Sequence, residues 1–505
     1  MVRSIRNLVV SILPAGILEN NSYSLVTSSE NASPGLKTNE NVFTRVRLSV
    51  QRLGFFLLPS PIQRRIRPAQ FKPQRLYPTS YLDGLRGVAS LIVFFCHYTE
   101  GNMGSYTHSY GLPKDAKVHS SPLQLPFLRV LYSGRPMVHI FFVISGFVLS
   151  YKPLKLARAR NAASLHNTLS SSVFRRALRL FLPTAVSTFM VMLLIRFRWM
   201  GKPLPTFWAQ FWDWTHAMWK ITFSWKWDIT QFLPYDVHLW TIPIEMSNSM
   251  LLFIAITGLS RCKVYIRLIL LVGIMFYCLK CEHWASFEFL GGMLVAEVGL
   301  IQNARAERDA NKEAATSSSS STPITTDIKP AGPSRLWAIF WWINLVIAMF
   351  LAGWPNQGAK ETPVFSYLVP LTMDPYLKKG GDLISFPWYA LGAMQTVFAC
   401  QQLPALQRFF TTGIAQYLAN ISYALYLMHG PCLEVFAHRV MPHVWGLVGG
   451  AEGAGMLARL FVWFMGLFCL AIPTFWAADV FWRAVDTPSV EFAKWLENSC
   501  IVKED

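Results

Sequence analysis

Residues 81–100 read YLDGLRGVASLIVFFCHYTE. The stretch is apolar enough to enter a bilayer, yet it contains Asp83, Arg86 and His97. Ionisable residues inside a membrane segment are costly and are usually functional. On an α-helix Arg86 and His97 would be separated by about three turns, on nearly the same face and about 16 Å apart. The stretch therefore predicts two functional groups at different depths of one membrane helix.

The composition of the whole chain indicates a membrane protein. Of its 505 residues 52% are hydrophobic and only 15% are charged, whereas soluble domains carry about 25% charged residues. Repeated apolar runs of about 20 residues predict an all-α, polytopic transmembrane bundle. The net charge of +18 is typical of basic loops that touch anionic lipid, so we expect membrane lipids and no nucleic acid as partners.

Ten apolar runs are predicted to form membrane spans. They are residues 82–99, 137–152, 180–197, 241–259, 265–280, 284–302, 336–354, 385–402, 413–436 and 456–480. The Trp-rich region 205–225 is predicted to be interfacial or re-entrant. The segment 152–179 contains seven Lys and Arg residues and no acid, which predicts a cytoplasmic position. An even number of spans then places both termini on the cytoplasmic side, in a multi-pass protein of an endomembrane or the plasma membrane.

Segments outside the spans are predicted to be tails and a linker. Residues 1–78 are predicted to be a disordered basic tail, because eight Lys and Arg and no acid lie between positions 45 and 75. Residues 303–335 contain TSSSSSTPITT, a low-complexity composition that predicts a disordered cytoplasmic linker. Residues 486–505 are predicted to form a cytoplasmic C-terminal tail.

The predicted topology separates the polar membrane residues into two groups. Near the inner boundary lie four arginines, Arg86, Arg175, Arg176 and Arg179. Near the outer boundary lie four histidines and a carboxylate, His97, His139, His238, His429 and Glu245. Glu288 and Glu297 are predicted to pair within the bundle.

Each group suits a different chemistry. Arginine forks bind phosphate in a bidentate manner, so the inner group suits a phosphorylated cytoplasmic donor. A histidine beside a carboxylate suits general-base activation of a hydroxyl. The small pair Ser145–Gly146 permits close approach of another helix or of a thin acyl chain. The lone C-x-x-C at Cys278 and Cys281 lacks a second ligand pair, so no metal site is predicted.

Five motifs, in order along the chain, closely resemble those of acyltransferase family 3, a family of multipass membrane O-acyltransferases with fungal members. The first is LDGLRG at 82–87, with ten residues between Arg86 and the following His97. The others are FFVISGF at 141–147, FRRALRLFLP at 174–183, HLWTIPIE at 238–245 and ISYALYLMH at 421–429. The resemblance spans residues 81–430, and implies an acyltransferase-3 membrane domain over residues 79–485.

The resemblance implies transfer of an acyl group, typically acetyl, from acyl-CoA as co-substrate to a hydroxyl of a glycan, lipid or secondary metabolite, with no tightly bound cofactor. Arg86 and His97 carry over as the essential pair, with Glu245 and His429 as further catalytic residues. Arg175, Arg176 and Arg179 carry over as donor contacts. We expect the acyl arm to pass Ser145, and His97 to act as general base or acyl carrier, oriented by Glu245. The alternative is a transporter or flippase, for which embedded charges are equally expected.

Overall fold

The computed structural model describes residues 42–71, 75–112, 120–227, 231–317 and 334–502. Of these described residues 80% are helical, and none belongs to a β-sheet. The all-α prediction is therefore confirmed.

Thirteen helices of fourteen or more residues make up the described chain, and we number them in order. They are α1 Val42–Leu57, α2 Ser80–Asn102, α3 Gly134–Arg158, α4 Ala162–Arg196, α5 Phe207–Ile221, α6 Thr241–Leu259, α7 Val264–Lys280, α8 Trp284–Ser317, α9 Arg335–Ala352, α10 Phe386–Gln402, α11 Gly413–Gly446, α12 Met456–Phe481 and α13 Thr487–Cys500.

Each of the ten predicted apolar runs coincides with one of these helices, and the Trp-rich region forms α5. Seven helical segments in the described chain are long and apolar enough to cross a membrane. These segments are Gly134–Arg158, Ala162–Arg196, Val237–Leu259, Trp284–Lys312, Arg335–Ala352, Gly381–Gln402 and Met456–Cys500. Polar side chains lower the hydropathy of α2 and α11, and α7 has only 17 residues, which is short for a span.

Part of the predicted N-terminal tail is helical and docked. Besides α1, a short helix covers Ser60–Ile66. The Ser60 hydroxyl donates to the Asp479 carboxylate at 2.6 Å, and the Trp476 indole donates to the Leu57 carbonyl at 2.8 Å. The prediction of a disordered tail is thus wrong for residues 42–71, because these contacts with α12 order it; residues 1–41 lie outside the described chain.

The predicted disordered linker and the predicted C-terminal tail are also helical where they are described. Helix α8 runs from Trp284 through residue 317, while residues 318–333 of the predicted linker lie outside the described chain. The predicted C-terminal tail forms α13, which packs against α4. An Arg175–Glu497 salt bridge of 3.0 Å joins the two helices.

Glycines allow the central helices to approach closely. The most extensive helix contacts join α2 to α11 and α3 to α8. A Cβ at Gly87 of α2 would overlap the backbone of Leu418 and Ala419, and a Cβ at Gly146 of α3 would overlap the backbone of Phe289. Close backbone packing of this kind stabilises helix pairs in apolar surroundings. It holds α2, α3 and α11 in place around the site.

Candidate active site

A cavity of about 260 Å³ lies among α2, α3, α4, α6, α11 and α13. Arg86 on α2 lines it, and so does Val93, about two helical turns further along. On α11 the lining extends from Ala419 to Tyr426, which is also about two turns. The cavity thus runs along α2 and α11, with Arg86 and Ala419 at one end.

Three arginines line the cavity, and the structure holds them differently. The Arg176 Nη2 atom pairs with Glu245, and its Nε atom donates to the Ser249 hydroxyl at 2.9 Å. The Arg86 Nη2 atom donates to the Ala419 carbonyl at 3.3 Å. Arg179 makes no hydrogen bond or salt bridge with a described residue. Its guanidinium donors are therefore available to a ligand in the cavity.

Of the other two residues predicted to contact the donor, Ser145 and Arg175, only Ser145 is at the cavity. Ser145 lines the cavity, while Gly146 beside it meets α8. Arg175 does not line the cavity, because its Nε atom is in the salt bridge with Glu497 on α13. Helix α13 itself reaches the cavity through Val490.

Three histidines form a cluster just past the far end of the cavity. His97 and His429 lie about one helical turn beyond Val93 and Tyr426 on α2 and α11. His238 lies in the 3₁₀ turn that leads into α6. The ring centroids are separated by 4.1 Å for His97–His238, 4.7 Å for His238–His429 and 5.2 Å for His97–His429.

Each histidine of this cluster is oriented by a different acceptor at Nδ1. Glu100 lies 3.3 Å from His97, Asp236 lies 2.8 Å from His238, and the Tyr426 carbonyl lies 2.7 Å from His429. The opposite nitrogen of His429, Nε2, is buried without a hydrogen-bond partner among the described residues. Anchoring at Nδ1 leaves Nε2 of each ring for proton transfer or for a ligand.

The carboxylate beside His97 is Glu100 and not Glu245. Glu100 also accepts a hydrogen bond of 2.9 Å from Asn356, so its orientation is fixed on both sides. Glu245 is on the cavity wall, paired with Arg176. The predicted contact between His97 and Glu245 is absent from the described chain. Glu245 lies about one turn into α6, whereas His238, which meets His97, lies in the 3₁₀ turn that precedes this helix.

His139, by contrast, lies outside the cluster. It is 2% exposed and pairs with Glu288 on α8. The rings of Trp284, Phe386 and Tyr389 surround it within 5.3 Å. This pair joins α3 to α8 inside the core.

The structure thus brings together most of the residues predicted from sequence. Arg86, Arg176, Arg179, Ser145 and Glu245 share the cavity, and His97 and His429 share the cluster. Sequence reasoning missed Glu100, Asp236 and Asn356. The first two were detectable, since Glu100 is three residues after His97 and Asp236 precedes His238 in a D-x-H pattern. No local signal marks Asn356.

The arrangement offers two chemical environments along one path. Guanidinium groups at one end suit phosphate or another polyanion. Imidazoles held by carboxylates past the other end suit the removal and delivery of protons. The ring nitrogens of the three histidines also lie within 4.8 Å of one another, a spacing at which they could hold a metal ion.

Comparison with known proteins agrees with these motifs. Residues 79–483 match the model of the family described as the acyltransferase domain. The chain is 30% identical over 466 residues to the O-acetyltransferase PaAT-1 of Phomopsis amygdali, covering 85% of this chain and 86% of that protein.

Two further fungal relatives are similar over nearly their whole length. Acyltransferase clz18 of Cochliobolus lunatus is 24% identical, with 85% of this chain and 97% of that protein covered. Acyltransferase R4 of a Phoma species is also 24% identical, with the same coverage of both chains. No solved structure matches the chain.

Proposed function

Because this chain belongs to the acyltransferase 3 family and is an acyltransferase, we propose that it transfers an acyl group from acyl-CoA to a hydroxyl within a membrane. The acyl group we propose is acetyl, since the relative from Phomopsis amygdali is named an O-acetyltransferase. The acceptor class we propose is a glycan, a lipid or a secondary metabolite. The observation that carries the proposal is the cavity that leads from three arginines towards a cluster of three histidines.

The arginine end is proposed to bind the phosphates of CoA. Arg179 supports this role best, because its donors are not used by another described residue while Arg176 and Arg86 are already partly engaged. Arg175 is proposed to act indirectly, by holding α13 beside the cavity through Glu497. The acyl–pantetheine arm would then extend along the cavity past Ser145 towards the histidines.

The histidine end is proposed to activate the acceptor. His97, oriented by Glu100 at 3.3 Å, takes the proton of the acceptor hydroxyl as general base. The oxygen then attacks the thioester carbon, the new ester bond forms, and the C–S bond breaks. His429 is proposed to bound the reaction space, with its Nε2 directed to the acceptor. Glu245 is assigned to hold Arg176, since the two side chains are paired.

The membrane topology is proposed to have ten spans, formed by α2, α3, α4 and α6 to α12. The basic segment between α3 and α4 supports a cytoplasmic position for the arginine end, by the excess of Lys and Arg on that side of membrane proteins. Both termini would then be cytoplasmic. In this orientation the arginines face the compartment that supplies acyl-CoA.

The proposal is tested with membranes that contain the full-length protein and radiolabelled acetyl-CoA. We expect release of CoA and labelling of an acceptor, and loss of both in His97→Ala. A matched control is His438→Ala, because His438 is an exposed histidine on α11 whose ring is hydrogen-bonded to a carbonyl of its own helix. Full activity in His97→Ala with normal protein amounts would contradict the assignment of the general base.

A further inference from the structure

The loop before α6 contains a second imidazole–carboxylate pair. Asp236 Oδ1 accepts two hydrogen bonds, one of 3.0 Å from the His238 backbone amide and one of 2.8 Å from the His238 ring. The Asp236 side chain is only 2% exposed, and that of His238 is 20% exposed. The carboxylate therefore fixes the orientation of the ring through Nδ1 and leaves Nε2 directed away from Asp236. The pair is better shielded from solvent than the His97–Glu100 pair, whose side chains are 30% and 32% exposed.

Helix α11 shapes the space around His238. The Tyr426 hydroxyl donates to the main-chain carbonyl of His238 and shares a hydrogen bond of 2.6 Å with the Thr241 hydroxyl. A Cβ at Gly430 would lie 2.6 Å from His238 Nδ1, so only glycine leaves room for the ring there. Gly430, directly after His429, therefore allows α11 to pass close to the His238 ring.

The His238 ring faces His97 directly. Their centroids are 4.1 Å apart, the shortest separation in the cluster. Among the described residues, the titratable groups in contact with His238 are Asp236 on its own loop, His97 from α2, and Tyr426 and His429 from α11. Glu100 lies on the other side of His97, 3.3 Å from its Nδ1 atom.

We propose that His238, held by Asp236, is a second acid–base residue of the acyl transfer, which protonates the leaving thiolate while His97 deprotonates the acceptor. This inference rests on the proposed function, because it assumes a thioester donor and a hydroxyl acceptor. The acceptor O–H bond breaks and its proton goes to His97. The oxygen–acyl bond forms, the C–S bond breaks with its electron pair on sulfur, and the proton of the His238 imidazolium goes to that sulfur.

The short distance between the His97 and His238 rings allows both to return to their starting protonation states after each transfer. After transfer, His97 carries the proton taken from the acceptor and His238 lacks the one given to CoA. Passage of one proton from His97 to His238, directly or through a water, restores both. No net proton is consumed, as acyl transfer between a thiol and a hydroxyl requires.

The test compares the pH profile of kcat for the unaltered protein, His238→Gln and Asp236→Asn, in membranes from the producing strain with acetyl-CoA. For His238→Gln we expect kcat to fall by roughly 10²–10⁴-fold, as for other lost acid–base groups, with KM for acetyl-CoA unchanged. For Asp236→Asn we expect the decline of kcat on the basic side to move, because the asparagine amide cannot hold an imidazolium as the carboxylate does.

Asp213→Asn is the matched control. Asp213 is the carboxylate that accepts a 2.7 Å hydrogen bond from Tyr235, next to Asp236 in sequence. Burial, with a smaller effect of Asp213, raises the pKa of Tyr235, so its hydroxyl stays protonated and the contact is structural. We expect this variant to keep the pH profile of the unaltered protein.

Three outcomes are distinguishable. An unaltered basic decline in Asp236→Asn would overturn the inference, because a structural role lowers kcat without moving the profile. One equivalent of zinc in the purified protein, lost in His238→Gln, would also overturn it, because the rings would then be metal ligands. Absence of CoA release by the unaltered protein would instead contradict the proposed function itself.

Discussion

Glu245 on α6 and Arg176 on α4 form a salt bridge in the wall of the cavity, and each side chain is only 14% exposed. The Arg176 guanidinium is also held by Ser249. The carboxylate of the W-T-x-x-x-E motif is therefore engaged with the arginine motif and lies apart from the histidines. This pairing supports the proposal that Glu245 serves donor binding, because Glu245 and Ser249 together hold the Arg176 fork.

We expect Glu245→Gln to raise the KM for acetyl-CoA by about tenfold and to lower kcat less. A partly buried guanidinium that loses its counter-charge is displaced or more costly to keep in place, and about 1.4 kcal/mol suffices for tenfold in affinity. Initial rates over a range of acetyl-CoA concentrations measure both constants. Glu282→Gln, which removes the partner of exposed Lys379, is the control. A kcat loss as large as that of His97→Ala, with KM unchanged, would return Glu245 to the chemistry.

Arg179 and Arg175 provide a matched pair of neighbouring arginines. Arg179→Gln is expected to raise the KM for acetyl-CoA by about ten- to a hundredfold, since a hydrogen bond to a charged group contributes about 1.5–3 kcal/mol. Arg175→Gln is expected to change KM by less than about threefold, because its salt bridge to Glu497 is partly exposed and outside the cavity. Equal effects of the two variants would contradict the donor site, provided that both elute as the unaltered protein does in size-exclusion chromatography.

The helices could be predicted from sequence because apolar runs and their lengths are local properties. The docking of residues 42–71 could not, since it depends on Asp479, more than four hundred positions away from Ser60. In the site, the motifs pointed to Arg86, His97 and His429, and the structure places Arg86 at the cavity and the two histidines in the cluster. The motifs did not reveal which carboxylate meets His97. A shift of one helical turn along α6 determines whether a side chain reaches the arginines, as Glu245 does, or the histidines. Asn356 reaches Glu100 from a distant loop, so only the folded chain reveals it.

A substitution at Gly146 tests whether α3 packs closely on α8. Gly146→Ala is expected to lower the free energy of unfolding by about 1–3 kcal/mol or more, because its Cβ would overlap the Phe289 backbone and the helices must separate. Gly258→Ala on α6 is the control, as nothing lies within 4 Å of its Cβ position and alanine favours a helix by up to about 1 kcal/mol. Thermal unfolding in detergent compares the two. An equally stable Gly146→Ala would contradict the packing described for these helices.

Asn356, Glu100 and His97 form a chain of polar contacts, with 2.9 Å between Asn356 and Glu100 and 3.3 Å between Glu100 and His97. Glu100→Gln is expected to lower kcat by about a hundredfold, because the His97 ring loses the charge that stabilises its protonated form. KM for acetyl-CoA should remain unchanged, since Glu100 does not line the cavity. Glu434→Gln, an exposed acid on α11, is the control for loss of a negative charge.

Asn356→Ala is expected to lower kcat by about tenfold, because Glu100 keeps His97 but loses its second anchor. Combined with Glu100→Gln it should add little, since Asn356 acts on His97 only through Glu100. Rates for the two single variants and the double variant form a complete cycle. Additive losses would mean that Asn356 reaches the reaction by another route, and the orientation of His97 would then rest on Glu100 alone.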